Sequence, residues 1–242
     1  MLIAAAVCPH PPLLIPAATG RPGPIDPELA RLRAACHQAA AALLAERPDL
    51  IAVVGADPGA APAAEYPPGA PGRLHDYGVP FTTGPADPAA PGLPLSLTIG
   101  NWLLSCLAPE RTPPPAVWWG IAPDAPPAEA GRLGERLAAL APRVALLAMG
   151  DGPGRRARAA PEAADPEADR YDDQVAGALA AADPAALAAL DPALDGPLVI
   201  AGRAAWQVLA GAAGRDAFTA ELPYRGVPFE VSYYVASWRR AS

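Results

Sequence analysis

The chain has 242 residues, 52% of them hydrophobic, and carries a net charge of −7. That length suits one α/β domain, and an acidic chain with no basic face excludes nucleic acid as its main partner. Alanine supplies much of the hydrophobic share, so the core is expected to be built from closely approaching helices.

Leu2 to Val7 is a short apolar run closed by Cys8-Pro9-His10-Pro11-Pro12. It reads as a buried strand, and the prolines, which fix φ and donate no hydrogen bond, hold His10 in a rigid turn at its carboxyl end. Ligands of open α/β sheets bind at such ends. His10 is therefore either a metal or substrate ligand or a histidine that caps its turn.

Asp26-Pro27-Glu28 starts a helix that runs to about Glu46, with Asp26 as N-cap and Leu29, Leu32, Ala35, Cys36, Ala39, Ala40 and Leu43 on one face. His37 on this helix reads as a surface or interface residue. Leu50 to Val54 is a second buried strand. Strand, helix and strand make a βαβ unit, which predicts that the two strands are parallel neighbours and that Asp57, in the following Gly-Ala-Asp-Pro-Gly loop, lies beside His10.

Ala60 to Pro91 is a long Pro/Gly/Ala-rich loop, and such loops are often functional. Within it, Arg73-Leu74-His75-Asp76-Tyr77-Gly78-Val79-Pro80 carries the most chemistry. Leu93 to Leu107 reads as a buried helix, Ala116 to Ile121 as a third strand, Pro127 to Leu140 as an amphipathic helix, and Arg143 to Met149 as a fourth strand. After it comes Gly150-Asp151-Gly152-Pro153-Gly154-Arg155-Arg156. Glycines followed by arginines could cradle an anion, but there is no Gly-Lys-Ser/Thr and Pro153 removes an amide, so an exposed loop is the competing reading. An acidic helix follows through Leu179, then one from Asp183-Pro184 to Leu190. Leu198 to Ala201 reads as a fifth strand and Gly202 to Ala213 as a helix. Phe218 to Leu222 and Phe229 to Ala236 alternate around Pro223-Tyr224-Arg225-Gly226, which predicts a terminal β-hairpin.

Cys8, Cys36 and Cys106 are far apart and form no CxxC pair, which argues against a disulfide framework or a zinc ribbon. They read as small core residues in a reducing compartment. The N-terminal run lacks the basic flank of a signal peptide, and no run approaches the ~18 apolar residues of a spanning helix. A soluble, cytoplasmic protein without a membrane partner is expected. No Gly-x-Ser-x-Gly is present, so serine hydrolysis has no support. The expected architecture is a single α/β domain over residues 1–242, with a central twisted, mostly parallel sheet flanked by helices and a C-terminal β-hairpin.

The ordered set Pro-His-Pro-Pro-Leu-Leu after a strand, Asp-Leu-Ile-Ala-Val-Val-Gly-Ala-Asp, His75-Asp76-Tyr77-Gly78-Val79-Pro80, Met149-Gly150-Asp151-Gly152 and Trp206 to Gly214 resembles the class III extradiol dioxygenase superfamily, of the protocatechuate 4,5-dioxygenase catalytic-subunit type, as a divergent member. The resemblance implies the single α/β domain already read from the chain. It also implies ferrous iron held by two histidines and a glutamate, with a further histidine as acid/base on a catechol. His10 matches the first iron histidine. The second falls at Pro58, the glutamate near Ala201 or Gly202, and the acid/base histidine near Gly154 or Arg155, so most iron ligands are missing. His75 lies near a substrate-contacting histidine of relatives and is the catalytic candidate, with His10, Asp57, Tyr77 and Asp151 lining the pocket.

Two functions follow. One is a non-catalytic or repurposed pocket or subunit protein that holds no cofactor and binds a small aromatic molecule, a homologous subunit or another copy of itself. The other is an active Fe(II)-dependent dioxygenase, cleaving a catechol or aminophenol, with its metal on a rebuilt set of His10, Asp57 and His75. A weaker third is an anion-binding module at Arg155, Arg156 and Arg158.

Overall fold

The structure is a computed structural model and describes residues 1–20, 26–84, 91–107, 114–154 and 166–241. The strands are β1 (Leu2–Cys8), β2 (Leu50–Ala56), β3 (Ala63–Tyr66), β4 (Gly72–Arg73), β5 (Thr82–Thr83), β6 (Ala116–Ile121), β7 (Val144–Met149), β8 (Phe218–Gly226) and β9 (Tyr233–Arg240). The helices are α1 (Pro27–Ala45), α2 (Leu95–Ser105), α3 (Pro127–Ala138), α4 (Pro166–Ala181), α5 (Pro184–Ala188), α6 (Asp195–Leu198) and α7 (Arg203–Ala213). Seven strands form one sheet in the order β3-β6-β2-β7-β1-β9-β8. The four central strands are parallel, while β3, β8 and β9 join antiparallel at the two sides. This is the expected α/β architecture. Among the described residues, no helix is long and apolar enough to cross a membrane.

The first correction concerns strand order. β1 and β2 are not neighbours: β7 runs between them and pairs with both. A right-handed βαβ crossover permits a skipped position as well as an adjacent one. All six residues of β7 are buried, as a strand covered on both faces requires.

Two layers of helix cover the sheet. α1 and α2 pack on one face with Ala4, Ala6 and Cys8 of β1. α3, α4, α5 and α7 pack on the other with Leu2, Ala5 and Val7. α1 follows the sequence reading closely. The Asp26 carboxylate accepts from the amides of Glu28 and Leu29, and the buried stripe is Leu29, Leu32, Ala35, Cys36, Ala39, Ala40 and Leu43. His37 is half-buried on this helix and meets the Trp102 ring edge-on at 5.3 Å.

The small-residue core shows best where α3 crosses α7. A β-carbon on Gly134 would lie 2.0 Å from the Val208 carbonyl oxygen, and one on Gly211 would lie 2.2 Å from that of Gly131. The two backbones touch, which only glycine allows. At the start of α7 the buried Arg203 guanidinium donates to Asp195 Oδ2 (2.6 Å), Gln207 Oε1 (2.6 Å) and the carbonyls of Pro123 and Ala125 (2.9 and 3.1 Å). This clamp ties α7 to α6 and to the turn before α3.

Four further expectations are revised. Leu198 to Ala201 is not a strand: α6 ends at Leu198, and Val199 sits at φ 54° and is 48% exposed as the chain turns into α7. The terminal hairpin exists, but its arms are β8 and β9 and its connection spans 227–232. Pro223 lies inside β8, at a register shift between Glu221 and Tyr224, and proline is tolerated on a bulged edge strand. The long loop after β2 contains the edge strand β3 and the small β4-β5 pair. Cys8 and Cys36 are buried, whereas Cys106 is exposed.

Candidate functional site

The topology selects one place on the sheet. The chain leaves β1 and β2 toward the α1/α2 face, and leaves β6 and β7 toward the opposite face. The carboxyl end of β7 therefore lies between two strands whose exits diverge from its own, and ligands of open α/β sheets bind at such switch points. His10 and Asp151 stand there, on the loops after β1 and β7.

The two residues meet directly. The His10 backbone N–H donates to Asp151 Oδ1 at 2.8 Å. The imidazole Nδ1 lies 3.4 Å from the same oxygen but makes no hydrogen bond among the described residues, and His10 is 6% exposed. A buried ring nitrogen without a partner is costly unless something supplies one. The loop carrying Asp151 is laced on three sides. Gly150 N–H donates to the Cys8 carbonyl (2.9 Å), Gly152 N–H to Ser232 (2.8 Å), and Ala201 N–H to the Asp151 carbonyl (3.2 Å). It also runs close to α7: a β-carbon on Gly150 would lie 2.6 Å from the Gly202 α-carbon.

Burial pushes the Asp151 carboxyl above the usual carboxylate range, against the opposing pull of the His10 charge and the His10 amide. Burial also pushes up the Tyr233 phenol, aided by the charge of Asp151. The buried Cys36 thiol is raised in the same way, with Cys8 and Asp151 adding to it. The pair is thus one imidazole and one carboxyl group, with the Tyr233 phenol and the Cys36 thiol near enough to feel the Asp151 charge and both raised above their ordinary range. Such a pair can exchange hydrogen bonds with a hydroxylated ligand. Sequence reasoning missed Tyr233 and Cys36, since nothing in the local pattern connects them to His10.

Asp57 is placed differently. It is 5% exposed, and its own amide donates to the Ile121 carbonyl on β6 (2.8 Å). Its carboxylate accepts from the Gly59 amide (2.9 Å) and the Tyr66 hydroxyl (2.7 Å). It sits over Gly120, where a β-carbon would lie 2.4 Å from Oδ2. Asp57 thus faces β6 and β3, while β7 separates β2 from β1 by about 10 Å of strand spacing. The expectation that it lies beside His10 is corrected on this ground.

His75 opens a 3-10 turn, His75–Tyr77, closed by Gly78 at φ 73°. His75 is exposed and Tyr77 is 53% exposed. The turn caps the β4-β5 pair on the surface. Among the described residues no group of three or more His, Cys, Asp or Glu side chains is placed to hold a metal ion. Among the described residues the carboxyl ends of β1 and β7 bring His10 and Asp151 together, and the positions to which the resemblance assigns the remaining ligands hold Pro58, Ala201 and Gly202. That donor set does not fit the two-histidine, one-carboxylate shell of ferrous iron. Arg155, Arg156 and Arg158 lie outside the described residues.

No protein-family model matches this chain, and no curated protein matches it. Among solved structures, it is similar to an uncharacterized protein of Escherichia coli K12, JW3007, with 17% identity, a TM-score of 0.58 and coverage of 98% of this chain and 99% of that one. At that identity the likeness establishes the fold over nearly the whole chain: a single α/β layer structure with a mostly parallel sheet and a C-terminal hairpin.

Proposed function

We propose that this chain is a class III extradiol dioxygenase-like protein that has given up iron chemistry and serves as a small-molecule pocket or as the silent partner of a homologous subunit. The observation that carries the reading is the His10–Asp151 pair. The retained histidine stands at the switch point with its amide on a carboxylate and its buried Nδ1 unpaired, while its neighbours offer too few further donors. A hydroxylated aromatic ring is the natural occupant, because its hydroxyl can donate its one proton to Asp151 while accepting from an imidazole N–H.

The test is a paired measurement on protein purified without chelator. Metal content is read by plasma mass spectrometry, and catechol and 2-aminophenol are titrated calorimetrically and assayed for ring cleavage. The expected result is substoichiometric iron, no cleavage product, and saturable catechol binding that His10→Ala removes. Stoichiometric iron with ring cleavage would overturn it. If His10→Ala and His75→Ala each then abolished metal uptake, the rebuilt His10, Asp57 and His75 centre would take its place.

A further inference from the structure

A concavity lies at the opposite side of the sheet from β1, about 19 Å away by strand spacing. It is a groove of about 610 Å³ between α3 and the β3–β6 edge, within the size range of small-molecule sites. Its construction follows from register. Glu65 on β3 is directly opposite Trp119 on β6, and Ala63 is opposite Ile121. Cross-strand partners share a face, so these side chains form the floor beneath α3. From the helix, Glu129, Arg132, Leu133 and Arg136 line the groove at spacings of three, four and seven residues, with Glu135 beside them.

The charges of this groove are unevenly spent. Arg132 is held by Glu129. The Arg136 guanidinium rests over the Trp119 ring, 5.2 Å from its centroid. Glu65 and Glu135 make no hydrogen bond or ion pair among the described residues, which leaves the groove one carboxylate in excess. An indole face already occupied by the protein's own planar cation shows what chemistry that face accepts. An anion entering here would meet a groove with a net negative charge, whose one cation outside an ion pair among the described residues, Arg136, already rests on the indole. A neutral ring would have to displace Arg136 with nothing to offer Glu65 or Glu135.

We propose that the groove between α3 and the β3–β6 edge binds an amphipathic organic cation, an aromatic body carrying one ammonium or guanidinium group. The ring takes the place of the Arg136 guanidinium on Trp119, the cation pairs with Glu65 or Glu135, and the long Arg136 side chain swings into solvent. This site is independent of the His10–Asp151 pair and of any reading of it.

The test uses the full chain and three probes of similar size: phenethylammonium, 2-phenylethanol and 3-phenylpropionate, titrated by saturation-transfer NMR. The expected affinity order is cation, neutral, anion. The double variant Glu65→Gln/Glu135→Gln weakens the cation about tenfold and brings it level with the alcohol. Arg136→Ala, which removes the competitor from the indole, strengthens the cation about fivefold. All three positions are exposed, and an unchanged circular dichroism spectrum confirms the fold. Equal affinity for cation and alcohol, no saturable binding of the cation, insensitivity to the double variant, or weakening by Arg136→Ala would each overturn the proposal.

Discussion

Asp57 is the residue on which a structural and a metal-binding role make opposite predictions. In the structure its carboxylate closes the turn after β2 through the Gly59 amide and anchors the edge strand β3 through the Tyr66 hydroxyl at 2.7 Å. Replacing it with alanine strands both donors. A hydrogen bond to a charged acceptor contributes about 1.5–3 kcal/mol. Tyr66 is only partly buried, so the lower end applies to it, and Asp57→Ala should cost about 3 kcal/mol in total. With a urea slope of about 3 kcal/mol per molar, the midpoint falls by about 1 M. Tyr66→Phe alone should cost about 1.5 kcal/mol, and the Asp57→Asn/Tyr66→Phe cycle should show a coupling of similar size. A second signal is optical. Burial and then Asp57 push the Tyr66 phenol above its ordinary range, so in Asp57→Ala one tyrosine titrates at lower pH. A coupling below about 0.3 kcal/mol, within the additivity error of independent sites, would refute this assignment. So would loss of a bound metal as the main consequence of Asp57→Ala.

Further substitutions probe the frame around the sites. Arg203→Met removes the guanidinium from Asp195, whose carboxyl is already raised by burial despite the arginine; it should cost about 3–5 kcal/mol in chemical denaturation, and Asp195→Asn added to it should recover part of the loss. Gly134→Ala puts a methyl 2.0 Å from a backbone carbonyl and should lower stability by about 3 kcal/mol, whereas Gly177→Ala on α4, with open space around it, should raise it by about 0.5–1 kcal/mol in parallel thermal melts. Burial alone would raise the Asp172 carboxyl, but hydrogen bonds from Tyr234, Arg225 and Ser232 outweigh it and hold the group below its ordinary value. The native state therefore binds fewer protons than the unfolded chain between that lowered value and about pH 4. The stabilisation is full above the window and is lost as pH falls through it, so the advantage of the parent over Asp172→Asn should shrink on acidification below about pH 4.

Local physics explains why some elements were legible and others not. α1 could be read in full because its N-cap, its proline at the first helical position and its buried stripe all lie within one segment. Each central strand announced itself as an apolar run between turn residues. Leu198 to Ala201 has the same composition as a strand, yet the sheet offers it no place: the free side of β1 is taken by β9. Pro223-Tyr224-Arg225-Gly226 has the composition of a turn, yet it continues β8, because an edge strand with a bulge does not need the amide that proline lacks. In the candidate site, His10 and Asp151 were both visible as loop residues after strands. Their contact, and the absence of Asp57 from it, depended on whether β7 entered between β1 and β2.

Composition, periodicity and turn chemistry therefore determined the elements, the α/β class, the placing of His10 at a strand's carboxyl end and the small-residue core. Strand order, the pairing of His10 with Asp151, the commitment of Asp57 to Tyr66 and the groove beneath α3 were decided only by the tertiary structure. These depend on which of several sterically allowed crossovers buries the most apolar surface over the whole chain, a long-range quantity that no local window of sequence contains.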